Sequence, residues 1–176
     1  MKLHTRALAP AACAVLTTTT FAGPCPEPPT FDQGLTPTTI IHVAETGSDT
    51  TGDGSPTNPY ASIEFAADNA TPGTAIRIHA GTYPGGDFIT DLAGTQSAPI
   101  WIGGAPGEPR PLISGGSEGL HLTRVRWLIL HDLEVTGAAF NGVNCDDGGD
   151  RDNPDATRHI IFRNLSIHDI GGAGNQ

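Results

Sequence analysis

The sequence predicts an all-β solenoid, a parallel β-helix in which short strands stack coil upon coil. One structural unit is written twice. RWLILHDLEVTG from Arg126 and RHIIFRNLSIHDI from Arg158 align without a gap through Ile129/Ile161, Leu133/Leu165 and Val135/Ile167. GLHL at Gly119 and GVNC at Gly142 precede the two copies in the same relative place. The second copy starts 32 residues after the first, while the two glycines lie 23 apart, so a 9-residue insertion falls in DDGGDRDNPDAT between Cys145 and Arg158. A period of twenty-odd residues built from short alternating strands must stack to bury its apolar face. Composition agrees: aromatic content is 6%, Gly and Pro number 23 and 15, and helical periodicity is scarce.

Taken from the start, residues 1–22 read as a secretory signal. Lys2 and Arg6 supply the positive start, residues 7–16 a short apolar core, and Thr20, Phe21 and Ala22 a cleavage site. The apolar run is far below the roughly 20 residues of a membrane span. The expectation is a secreted protein, extracellular or periplasmic. Without the signal, the chain keeps 7 Arg, no Lys and 19 acidic residues, against a formal charge of −10 for the whole. Nucleic acid is therefore excluded as a partner, because phosphate binding needs a basic surface. Signal removal takes Cys13 and leaves Cys25 and Cys145, which could form a disulfide in an exported protein. The inward phase of Cys145 argues instead for a buried thiol.

Residues 23–38 read as a Pro/Thr-rich linker. Residues 39–176 form the β-helix domain, with a capping module over 39–83 and coils over 84–176. TTIIHV opens it with strand-like Ile40, Ile41 and Val43. A loop with Asp49 and Asp53 follows, then ASIEFAADNATPG as a short helix. Ser62 caps it, Glu64 suits its first turn and Pro72-Gly73 end it. Ile63, Ala66, Ala67 and Ala70 give it one apolar face, suited to cover the open end of a solenoid. TAIRIHAGTY is the next strand, with Ile76 and Ile78 inward. Ile100 follows Ile76 by 24 residues, one turn of the solenoid. PIWIGG and PLISGG form strands of that coil.

In WLILHDLEV, Leu128 and Leu130 point inward, the chain bends at His131-Asp132, and Leu133 and Val135 point inward again. Ile160, Phe162, Leu165 and Ile167 repeat this one coil later. Leu120 and Leu122 stack under Val143 and Cys145. Outward side chains then form ladders about 4.8 Å per step. GGAGNQ stops just after a strand and a bend, without a capping segment, and the expectation is a β-helix that continues in further coils.

The run HVAETGSDTTGDGSPTNPYASIEFAADNATPGTAIRIHAGTY resembles the N-terminal entry module of secreted right-handed parallel β-helix proteins of the pectate lyase-like superfamily. The G-x-D-x-x-G-D-G-x-x-x-N-P-Y-A-S-I run, the small helix, the P-G-T turn and the strand ending A-G-T-Y carry the resemblance. It implies a right-handed β-helix that binds polysaccharide. Function transfers less directly, since this scaffold hosts lyases, hydrolases, epimerases and non-catalytic surface proteins.

Five carboxylates in ten residues, Asp146, Asp147, Asp150, Asp152 and Asp155, repel one another unless solvated or bound to a cation. The first four are the candidate metal ligands, for calcium, which takes six to eight oxygens in flexible geometry. The alternative is a solvated acidic loop on an already acidic protein. Elimination on a uronate polymer needs a cation to neutralise the sugar carboxylate and a base to remove the adjacent proton. Related β-helix lyases use calcium with Lys or Arg, and this chain offers Arg151, Arg163 and His168 near the acidic loop. A hydrolase would need two spaced carboxylates. Asp146-Asp147 fits that in part, but the accompanying G-H-G and R-I-K motifs are absent. Two functions follow: a secreted protein that binds and cleaves acidic polysaccharide by calcium-assisted β-elimination, or a non-catalytic extracellular adhesion module. Oligomeric state is not legible.

Overall fold

The computed structural model describes residues 30–171. The signal segment, Cys25 and the final GAGNQ after Gly171 lie outside them. Twelve strands and one short helix follow in order: β1 Thr39–Val43, α1 Ile63–Asp68, β2 Thr74–Ile78, β3 Thr82–Pro84, β4 Asp87–Thr90, β5 Ile100–Gly104, β6 Leu112–Ser114, β7 Glu118–Thr123, β8 Arg126–His131, β9 Glu134–Thr136, β10 Asn141–Asp146, β11 Arg158–Arg163 and β12 Ser166–His168. They make three parallel sheets, with orders β1-β2-β5-β8-β11, β3-β6-β9-β12 and β4-β7-β10. Each of the three central coils, β2–β4, β5–β7 and β8–β10, contributes one strand to each sheet, and this is the predicted right-handed parallel β-helix.

Register follows the repeat. Ile129 pairs with Ile161, Val135 with Ile167, Leu120 with Val143 and Leu122 with Cys145. One expectation is corrected: Ile76 pairs with Ile102, not Ile100, so this coil is two residues longer than the spacing suggested. A shift of two keeps every side chain on its face, and Ile76, Ile78, Ile100 and Ile102 are all buried. β3 runs across residue 83, so the capping module and the coils share a strand.

The interior is one stack of branched aliphatic side chains: Ile78, Ile102, Leu122, Leu128, Leu130 and Val135 are fully buried. Ile63, Ala66 and Ala67 of α1 close the stack at one end, as the apolar face predicts. Ser62 Oγ caps the helix by accepting from the Phe65 amide at 3.2 Å. Phe162 and Ile167 keep inward register but are half exposed, because no described coil stacks on them. The bend at His131-Asp132 recurs one coil later at Asn164. Asp132 and Asn164 both have φ of 53°, the left-handed region that Asp and Asn tolerate best among residues with a Cβ.

Outward-phase Ile129 is also fully buried. Phe31 and Leu35, within the segment read as a linker, lie over the outer face of the first sheet and cover Ala75, Trp101, Ile129 and Ile161. Phe31 meets Trp127 edge-on at 5.2 Å. Apolar cover of this kind contributes about 1.5–3 kcal/mol per buried large side chain, which holds residues 30–38 as an arm across the sheet.

Candidate functional site

The first sheet has five strands, and alternation puts two rows of side chains on its outer face. The apolar row, from Ala75 through Trp101 and Ile129 to Ile161, lies under the arm. The second row is polar. His42 pairs with Arg77, Arg77 with Gly103, Gly103 with His131 and His131 with Arg163. Four cationic or titratable groups therefore stand in one line around a glycine, on a chain of net charge −10. Gly103 must be glycine: a Cβ there would collide with the His131 carbonyl and lie 2.6 Å from Cε1 and Nδ1 of its ring. Arg77, Trp101, Gly103, Pro106 and His131 line a shallow groove.

Occupancy varies along the row. Arg163 donates from Nη2 to both Asp32 oxygens at 2.9 and 3.0 Å. Burial pushes the Asp32 carboxyl up, but hydrogen bonds from Arg163 and Thr30 more than offset it and hold it below its ordinary range. The His131 ring contacts Asp132 at 2.8 Å. Among the described residues Arg77 forms no ion pair.

At the head of the row three groups form a chain. Nδ1 of His42 lies 2.9 Å from Nε2 of His79, the two rings meeting edge to edge with centres 5.1 Å apart and planes 21° from parallel, and Nδ1 of His79 lies 2.8 Å from Oε1 of Glu108. The Ala80 amide donates to Glu108 Oε2 at 2.9 Å and fixes the carboxylate. Burial, then the neighbouring His79 and Arg77 charges, push the His42 pKa down, against a smaller opposing pull from Glu108. The loop between β1 and α1 pins the edge strand, with the His42 amide donating to Gly54 O and the Tyr60 amide to His42 O.

The residues singled out from sequence do not converge. Arg163 belongs to the row just described. His168 stands on the second sheet, 3.1 Å from Glu134 and 2.8 Å from Asp169; hydrogen bonds first to Asp169 and then to Glu134 push its pKa up. Arg151 is exposed in the insertion loop. Asp146 ends β10, where its carboxylate takes His121 Nε2 at 2.8 Å, the Thr123 hydroxyl at 3.1 Å and the Gly148 amide at 2.9 Å. Asp147 accepts from the Gly149 amide, a turn-forming bond, and Asp150 from the Asn153 side chain. Asp152 is exposed. Among the described residues no group of three or more His, Cys, Asp or Glu is placed to hold a metal ion. Both oxygens of Asp146, Oδ1 of Asp147 and Oδ2 of Asp150 accept these local hydrogen bonds.

A second polar network crosses the third sheet, where His121 sits between Glu118 at 2.5 Å and Asp146 at 2.8 Å. The Glu118 contact is an ion-pair approach rather than an aligned hydrogen bond. Cys145 carries a free thiol packed against the core, and burial, then the Asp146 charge, push its pKa up. Sequence reasoning missed His42, Arg77, His79 and Glu108. The available signal was two consecutive strands, IIHV and RIHA, each with a histidine after an inward isoleucine.

No protein-family model matches the chain, and no curated protein matches it. Solved structures do. Pectate lyase Pel9A superposes with a TM-score of 0.61 at 25% identity over 78% of this chain. A GH136 lacto-N-biosidase from Eubacterium ramulus gives 0.57 at 20% over 76%. A rhamnogalacturonan lyase gives 0.53 at 16% over 75%. This chain spans 35%, 27% and 36% of those chains respectively. The shared feature is the pectate lyase-like parallel β-helix. Among the described residues no helix is long and apolar enough to cross a membrane.

Proposed function

We infer that this chain is part of a secreted carbohydrate-active β-helix protein that binds an acidic polysaccharide along the outer face of its first sheet and cleaves it by β-elimination. The observation that carries this is the in-register row His42, Arg77, Gly103, His131, Arg163, with Arg77 lacking an ion-pair partner among the described residues. Asp32 on Arg163 is a carboxylate already seated on that row, as a uronate would be on Arg77. Support for carbohydrate as the ligand comes from the neighbours, two of them lyases and one a lacto-N-biosidase by name. Elimination needs a cation on the sugar carboxylate, and Arg77 can supply that charge.

Affinity electrophoresis of the full chain through gels containing polygalacturonate or an uncharged glucan tests the binding. Retardation by polygalacturonate alone, weakening as salt screens the charges, is the expected result. Arg77→Gln removes a charge-assisted contact of about 1.5–3 kcal/mol and should weaken binding roughly 10- to 100-fold. Equal mobility in both gels would overturn the proposal.

A further inference from the structure

We propose that Glu108, His79 and His42 form a proton relay whose outer end, Nε2 of His42, is the base that removes the proton beside the sugar carboxylate held by Arg77. This rests on acidic-polysaccharide binding at the first sheet and adds the group that performs the chemistry. The directions of the hydrogen bonds follow from the residues. Glu108 only accepts, so His79 donates from Nδ1. A neutral His79 then has its lone pair on Nε2, and His42 must donate to it from Nδ1. That leaves the His42 lone pair on Nε2.

Nε2 of His42 makes no hydrogen bond among the described residues. The fully buried side-chain atoms without a hydrogen-bond partner there are Glu118 Oε2 and His121 Nδ1, so Nε2 of His42 reaches solvent although the residue as a whole is 8% exposed. His42 and Arg77 are register neighbours on adjacent strands, about 4.8 Å apart in backbone. A base and a charge acceptor are thus held side by side on one rigid sheet.

The step balances. The C–H electron pair becomes the new carbon–carbon double bond as the bond to the glycosidic oxygen breaks. The proton goes to Nε2 of His42, which passes its Nδ1 proton to His79, where Glu108 faces the resulting imidazolium. The departing oxygen takes a proton back, and the relay returns to its first state. The groups that face His42 and set its titration are His79, Arg77 and, through His79, Glu108. His42 is the catalytic residue; His79 and Glu108 are positioning residues.

The test uses the full chain with trigalacturonate, following the new double bond by absorbance and binding by calorimetry, alongside long-range nitrogen NMR of the histidine rings. The wild type should bind and turn over. His42→Gln should lower turnover by about 100- to 10,000-fold, far more than it weakens binding. Glu108→Gln should lower it less and move the alkaline-rising limb of the pH profile. NMR should show His42 protonated at Nδ1 and bare at Nε2. Unchanged turnover in His42→Gln, or the opposite tautomer, overturns the relay. Binding without turnover also overturns it and leaves polysaccharide recognition standing. Absence of binding removes the recognition on which the relay depends, whatever the tautomer.

Discussion

Asp87 offers the sharpest test of how the capping end is balanced. It opens β4 opposite Leu120, half-buried near α1. Burial, and then the negative charges of Glu64 and Asp49, push its carboxyl from 3.8 up to about 6, with the Glu64 backbone amide partly opposing. A folded-state pKa above the unfolded value means protonation favours folding. The stabilisation is full below about pH 4 and is lost as pH rises through about 6. A shift of about two units corresponds to at most about 3 kcal/mol, and screening at a half-buried group reduces it to about 1–2 kcal/mol. Asp87→Asn is neutral throughout. It should raise stability at pH 8 by that amount, about 3–8 °C in Tm, and change little near pH 4. Urea unfolding of both proteins at the two pH values measures this. A mutant gain that is the same at pH 4 and pH 8, or none at pH 8, would refute the electrostatic account of this corner.

Two further perturbations probe the scaffold. Gly103→Ala places a Cβ against the His131 backbone and ring. It should cost about 1–3 kcal/mol by overpacking and displace His131 from the row; an unchanged urea midpoint would contradict the close approach. Ser62→Ala removes the Oγ that accepts from the Phe65 amide and should cost about 1 kcal/mol. Asp49 still accepts from the Ala61 and Ser62 amides in that mutant, so α1 should persist in circular dichroism, and its complete loss would show that the cap does more than the structure assigns to it.

The coils from Gly119 onward were legible because a gapless repeat fixes register as well as phase: pairing Ile129 with Ile161 needs no loop to be understood. The β2–β5 register was two residues off because the Gly/Pro-rich stretch between the strands offers no periodic anchor. Burial of Ile129 was invisible for another reason. Alternation says which way a side chain points, not what covers it, and Phe31 lies 98 residues away in a segment that reads as a linker. The acidic insertion was recognised as a loop, but its carboxylates serve turns and a cross-coil histidine rather than a shared centre. The row on the first sheet was hidden because its members lie one per coil. The relay was hidden further, since Glu108 comes from the turn after β5, 29 residues beyond His79.

The most direct measurement is an amide NMR titration of the full chain with trigalacturonate and with an uncharged trisaccharide. The account predicts saturable shifts at Arg77, Gly103 and His131 with the uronate only, and unmoved signals at His121 and Asn144 on the third sheet. Shifts confined to the third sheet, or equal responses to both sugars, would contradict recognition of an acidic polysaccharide by the first sheet.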